Sequence, residues 1–190
     1  MEESPQQPLA ILFVCTANIC RSPTAELLAR GRFGEAGSLF RSAGLLRSGR
    51  EVPSDLAKVL DRRGIDAAAH RSHHVDADTL HAADLVLTME GRHIQEMAVD
   101  HAFALPKMLP LREAAERLRV PKAVAEVHGE LADRDLSAYL STRWDVDDPY
   151  KRGKRRYRKM VEEVDALVAT VVGNLQLGSG VTQLDRAAEA

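Results

Sequence analysis

The sequence predicts an α/β fold in which an open parallel four-stranded sheet carries helices on both faces. Three observations carry this. Short unbroken apolar runs within 9–14 and 84–89 suit strands covered on both faces. Segments with helical spacing follow them, so strands and helices alternate. The first run ends at Cys15, from which a short loop opens directly into a helix, at the carboxyl end of a strand where open sheets bind ligands.

The chain has 190 residues, enough for one domain with a tail or an insertion but not for a second full domain. Residues 1–8, polar and with two prolines, read as a loose extension; 9–176 read as a single domain; 177–190, rich in Gly, Ala and charge, read as a disordered tail. A net charge of -2 gives no global attraction to nucleic acid or membrane, and neither is expected as a partner. Cys15 and Cys20 are the only cysteines, too few for a disulfide scaffold or a four-ligand zinc site. No metal or cofactor is expected. With no signal peptide or spanning segment in view, a soluble cytoplasmic protein is expected, with export by a non-signal route left open.

In order, the first strand (9–14) leads to a helix from Pro23 to about Phe33, with Pro23 in its first turn and Ser22 as a cap. Glycines within 31–37 end it. A second strand is expected at 39–43, then a polar loop, 45–51, carrying Arg47 and Arg50. A helix at 53–63 stops before Gly64, and a connection through His70 leads to a short helix at 76–82. The third strand is 84–89, followed by a helix at 91–98 and a short fourth strand at 102–105. From 108 to 144 the composition turns to Leu, Ala, Glu and Arg, interrupted by Pro110, Pro121 and Gly129. This reads as an insertion of two or three surface helices before an acidic segment. The last helix is the most regular: Tyr157, Met160, Val161, Val164, Leu167, Val168, Val171 and Val172 fall on one face. The cations at 151, 152, 154–156, 158 and 159 read as its wet face.

The chemistry concentrates in the loop. Cys15 and, six residues on, Arg21 place a nucleophile and a planar cation at the start of a helix, where backbone N–H groups converge on an anion. A helix N-terminus and a guanidinium both favour the thiolate, and Arg can hold two phosphoryl oxygens at once. Phosphate is the expected ligand.

The run Cys15–Glu26, CTANICRSPTAE, resembles the phosphate-binding signature of the low-molecular-weight protein tyrosine phosphatases, in an actinobacterial-type version. The resemblance implies hydrolysis of phosphotyrosine in proteins through a phosphocysteine on Cys15. Arg21 binds the phosphoryl group and Thr16, Ala17, Asn18, Ile19, Cys20 and Ser22 complete the cradle. Ser22 donates its hydroxyl to the thiolate. The Asp148-Pro149-Tyr150 step matches the family's general-acid loop, so Asp148 is the expected acid and base and Tyr150 the ring that stacks on the substrate. Asp148 before Pro149 could instead be a helix N-cap, and Asp145 and Asp147 lie beside it. Ser42 and His70 are implied as ties on Asn18, though His70 could be an ordinary surface histidine. Ala17 stands where the family usually has glycine, and would cost on the order of 1 kcal/mol if its φ is positive. Cys20 either forms a reversible disulfide with Cys15 or packs passively. Ile19, where arginine-phosphate phosphatases of this fold carry Thr, favours an aryl phosphate, and phosphate-like oxyanions are expected inhibitors. Arg47 and Arg50 either favour acidic flanking residues or are solvated. The alternatives are an arsenate reductase on the same fold, which in its thioredoxin-coupled form needs cysteines beyond Cys20, and a phosphoprotein-binding module without turnover.

Overall fold

Four parallel strands, β1 (Ala10–Cys15), β2 (Leu39–Gly44), β3 (Leu85–Thr88) and β4 (Met108–Pro110), lie in the order β2-β1-β3-β4. They are seen in a computed structural model that describes residues 9–34, 39–132 and 134–175. The extension expected over 1–8 and the tail expected over 177–190 lie outside these residues. β1 is interior, with β2 on one side and β3 on the other, so Cys15, paired with Gly44, stands where the winding direction reverses. That is the crevice where sheets of this type take ligands.

The helices are α1 (Arg21–Phe33), α2 (Ser54–Asp61), α3 (Ala77–His81), α4 (Gly91–His101), α5 (Leu111–Arg117), α6 (Val124–Ala132) and α7 (Lys154–Asn174). The period of two in β1 explains why they occupy both faces. Ile11 and Phe13 enter one core with Leu56 and Leu60 of α2, Leu111 of α5 and Val161, Val164 and Val168 of α7. Leu12 and Val14 enter the other with Leu80 of α3 and Ile94 and Met97 of α4. An unbroken apolar run was needed because neither face of this strand meets water.

Three expectations are corrected. The segment 102–105 is not a strand: Ala102–Lys107 is a 3-10 helix, and the fourth strand is the three-residue Met108–Pro110. Pro106 carries no N–H for a ladder, whereas Pro110 is tolerated because β4 is an edge strand. The segment expected as an insertion over 108–144 therefore begins inside the sheet. Its helices are not superficial, since Leu111, Ala114, Leu118, Val127 and Leu131 join the first core and Tyr139 the second. Finally, α1 starts at Arg21 rather than Pro23, with Cys20 at its N-cap and no side-chain cap, because the Ser22 hydroxyl is turned to Cys15.

Gly44 is the one position in the sheet where only hydrogen fits. A Cβ there would stand 2.7 Å from Asn18 N and 2.9 Å from Ala17 C, both backbone atoms of the loop after Cys15. Gly44→Ala is expected to destabilise the chain by about 1–3 kcal/mol and to lower kcat/KM for an aryl phosphate, measured by urea unfolding and initial rates.

Candidate active site

The loop between β1 and α1 wraps the thiol of Cys15. Asn18 N donates to its Sγ at 3.2 Å and Ser22 Oγ at 3.0 Å. Bringing the Asn18 N–H inward requires a left-handed turn, and Asn18 has φ 51°. Asparagine tolerates this conformation better than most residues. Ala17 is not among the described residues with positive φ, so the absent glycine carries no strain there.

Asn18 is fully buried and every polar atom of its side chain is used. Its Nδ2 donates to Ser22 Oγ at 2.9 Å and to Ser42 Oγ at 2.8 Å, and its Oδ1 accepts from His73 N at 2.8 Å. Its carbonyl lies 2.8 Å from His70 Nε2, so both implied ties, Ser42 and His70, reach it. Ser42 in turn donates to Glu26, which fixes the direction of its hydroxyl. His73 and Glu26 join this set without having been singled out from sequence.

Arg21 is 2% exposed, and its guanidinium is surrounded by acceptors. Nη1 donates to Glu90 Oε1 and, at 3.0 Å, to the carbonyl of Val146. Nη2 donates to Asp148 Oδ2 at 3.1 Å and lies 3.4 Å from Thr16 Oγ1. Glu90, at the N-cap of α4, also binds Arg92. Burial on its own raises the Glu90 carboxyl, but the hydrogen bond from Arg92 and the charge of Arg21 outweigh it and hold the group near about 2. His93, with no exposed surface, is lowered to about 3, first by burial and against the attraction of Glu90. It is therefore a neutral ring whose Nε2 lies 3.0 Å from Thr16 Oγ1. Arg92 Nη2 donates to that same oxygen at 2.8 Å. Thr16 Oγ1 thus links the His93 ring to both arginines.

The acidic trio is sorted by its partners. Asp147 binds Arg152 and Arg156 at 3.1 and 3.2 Å and is held away from the loop. Asp145 Oδ1 accepts from Gly91 N at 2.9 Å. Asp148 alone meets Arg21, its other oxygen accepting from Tyr150 N at 3.0 Å. It is no helix cap, since α7 starts at Lys154 behind Gly153. Tyr150 stands exposed at the mouth, where Arg50 Nη2 donates to its hydroxyl at 3.3 Å. No such contact involves Arg47 among the described residues.

Ile19 and Cys20 turn inward rather than toward a ligand, at 4% and 3% exposed. Both cysteines are free thiols. Burial, then the neighbouring Cys15, pushes the Cys20 thiol up to about 12, so it is not an attacking thiolate near neutrality. Among the described residues no group of three or more His, Cys, Asp or Glu could hold a metal ion, and no helix is long and apolar enough to cross a membrane.

Glu90, Arg92 and His93 were missed from sequence. The available signal was topological: β3 lies beside β1 in a parallel sheet, so the residues just beyond Thr88 share the crevice with Cys15.

A thiol at a helix start, held by one N–H and one hydroxyl and set in the same loop as a buried arginine, is an arrangement that can take an oxyanion beside a nucleophile. The model of the low molecular weight phosphotyrosine protein phosphatases matches residues 10–180, and the chain belongs to that family. A probable low molecular weight protein-tyrosine-phosphatase of Ralstonia nicotianae is 35% identical over 91 residues, 48% of this chain and 62% of that one. An arsenate reductase of Bacillus licheniformis is 38% identical over 81 residues, 43% and 56% of the two chains. The alignments thus span less than two thirds of either relative. The structure of an arginine phosphatase from Geobacillus stearothermophilus superposes with a TM-score of 0.68 at 27% identity, covering 87% of this chain and 92% of that one.

Glu90 and His93 both contribute to the acid limb of stability. Glu90 has a folded pKa of about 2 against an ordinary 4.5, so its contribution is present above pH 4.5 and is lost as pH falls through about 2. Below pH 6.5 the unfolded chain protonates His93 while the folded one, at about 3, does not, which also favours unfolding as pH falls. Glu90→Gln is therefore expected to remove on the order of 3 kcal/mol at pH 7 and to flatten the loss between pH 4.5 and 2. His93→Gln should flatten the slope that begins near pH 6.5. Urea midpoints across pH 2–8 check both.

Proposed function

We propose that the chain hydrolyses phosphotyrosine in proteins through a phosphocysteine intermediate. The observation that carries this is the convergence on one point of the Cys15 thiol, held by Asn18 N and Ser22 Oγ, with the buried Arg21 guanidinium and the Asp148 carboxyl 3.1 Å from it. On this reading they are the nucleophile, the anion clamp and the proton donor of one reaction.

In the first step Cys15 Sγ attacks phosphorus in line with the leaving group. The bond from phosphorus to the phenolic oxygen breaks, and that oxygen takes the proton of Asp148. In the second step the Asp148 carboxylate accepts a proton from water, whose oxygen attacks the phosphocysteine. The S–P bond breaks and the electron pair returns to Sγ. The Ser22 hydroxyl, already donating to Sγ, stabilises the thiolate as it leaves. Arg21, Thr16 and the N–H groups from Ala17 to Ser22 hold the equatorial oxygens, where negative charge gathers in both steps.

Preference for an aryl ester is supported by Tyr150, whose half-exposed ring stands beside the acid with Arg50 on its hydroxyl. Ile19 packs in the core, so the argument for tyrosine rests on Tyr150 rather than on residue 19. The related arginine phosphatase and arsenate reductase make phosphoarginine and arsenate the informative competitors.

Purified chain should hydrolyse p-nitrophenyl phosphate at full rate in chelator and be competitively inhibited by phosphate or vanadate. Cys15→Ser should abolish turnover, and Asp148→Asn should lower kcat/KM for phenyl phosphate about 100-fold while leaving phosphate affinity near wild type. Full activity in Cys15→Ser overturns the mechanism. Faster release of phosphate from phosphoarginine than from phosphotyrosine peptides, or arsenate-dependent thiol oxidation, overturns the substrate.

A further inference from the structure

Asp145 has no part in the reaction above, yet it joins the two walls of the site. Glu90 sits at the N-cap of α4 but turns its carboxylate to Arg21 and Arg92 instead of capping its own helix. The first N–H of α4, that of Gly91, is one of the donors a helix start leaves without an internal partner. Asp145 Oδ1 accepts it at 2.9 Å. The negative charge at a helix start is itself favourable. On the next residue, Val146 N donates to Met89 O at 2.8 Å, and Val146 O accepts from Arg21 Nη1 at 3.0 Å. Two consecutive residues thus fasten the loop that carries Asp148 to the end of β3 and the start of α4. The two Val146 bonds hold the backbone at one residue, and the Asp145 contact adds a second fixed point on the loop.

Gly91 makes the junction possible. A Cβ there would stand 2.9 Å from both Cβ and O of Tyr139, so the 3-10 helix Leu136–Leu140 closes directly on the α4 start. The segment between β4 and the acid loop therefore ends in a fastening and not in a free tether.

We propose that Asp145 is a positioning residue for the reaction: by capping α4 it sets the reach of the Asp148 carboxyl and so the protonation of the leaving group. This rests on the reading of Asp148 as the acid. The experiment compares full-length wild type, Asp145→Ala, Asp145→Asn, Asp148→Asn and the Asp145→Ala/Asp148→Asn pair. It measures kcat/KM on aryl phosphates from phenyl to 2,4-dinitrophenyl, together with inhibition by inorganic phosphate. The slope across leaving groups is a ratio within one preparation, so a reduced folded fraction cancels from it.

Asp145→Ala is expected to lose about tenfold on phenyl phosphate and less than about twofold on the dinitrophenyl ester, whose leaving group needs no acid. Phosphate affinity should stay within about twofold, and Asp145→Asn, which keeps an acceptor oxygen, should recover most of the loss. In the Asp148→Asn background the same alanine change should cause no further loss. Equal loss on every leaving group, or an undiminished effect in the absence of the acid, overturns the proposal. An unchanged slope in Asp148→Asn alone overturns instead the assignment of the acid on which it stands.

Discussion

The site is built around a buried charge. Arg21 is among the largest fully buried side chains of the protein, and a guanidinium out of water costs several kcal/mol unless it is paired and hydrogen-bonded. That requirement draws together segments far apart in sequence: Thr16 from its own loop, Glu90 beyond β3, and Val146 and Asp148 from the loop before α7. Its two carboxylates differ in a way that matters. Glu90 is 12% exposed and clamped by Arg92, whereas Asp148 is 45% exposed. Glu90 is the enclosed counter-ion; Asp148 is the one open to solvent.

The same economy of polar atoms shapes the loop. Asn18 must adopt φ 51° to bring its N–H to the thiol, and a strained residue persists only when its surroundings over-determine it. Ser22, Ser42, His70 and His73 supply that over-determination from α1, β2 and the connection after α2. Gly44 lets β2 come close enough for Ser42 to reach. Every one of these contacts is made within the protein itself, as electrostatic preorganisation requires.

Much of this could be read in the chain, for identifiable reasons. The strands β1 and β3 were legible because burial on both faces writes an unbroken apolar run, and α7 because a single wet face writes a long period. Cys15, Arg21, Asn18 and Ser22 were legible as a group because they lie within one short loop. β4 was not, since three residues are too few for any period, and the apolar 102–105 segment competed for the same place. Glu90, Arg92 and His93 were not, because each matters only through its distance to Thr16 or Arg21, which the order of strands creates. Asp148 was singled out by the Asp148-Pro149-Tyr150 step, but the partners of Asp145 and Asp147 were beyond a sequence reading for the same reason: they are acquired only once α4 and α7 are packed.

The two carboxylates on Arg21 differ in what a ligand could change. Glu90 is also held by Arg92, so it stays as a fixed partner of the guanidinium. Asp148 has one oxygen on Arg21 and the other on Tyr150 N. On the proposed reading, an anion that takes the Arg21 Nη2 donor frees the first of these oxygens, so the contact that marks Asp148 as the candidate acid is also the one the substrate would replace. The 45% exposure of the Asp148 side chain leaves that oxygen within reach of solvent, while the enclosed Glu90 keeps Arg21 oriented.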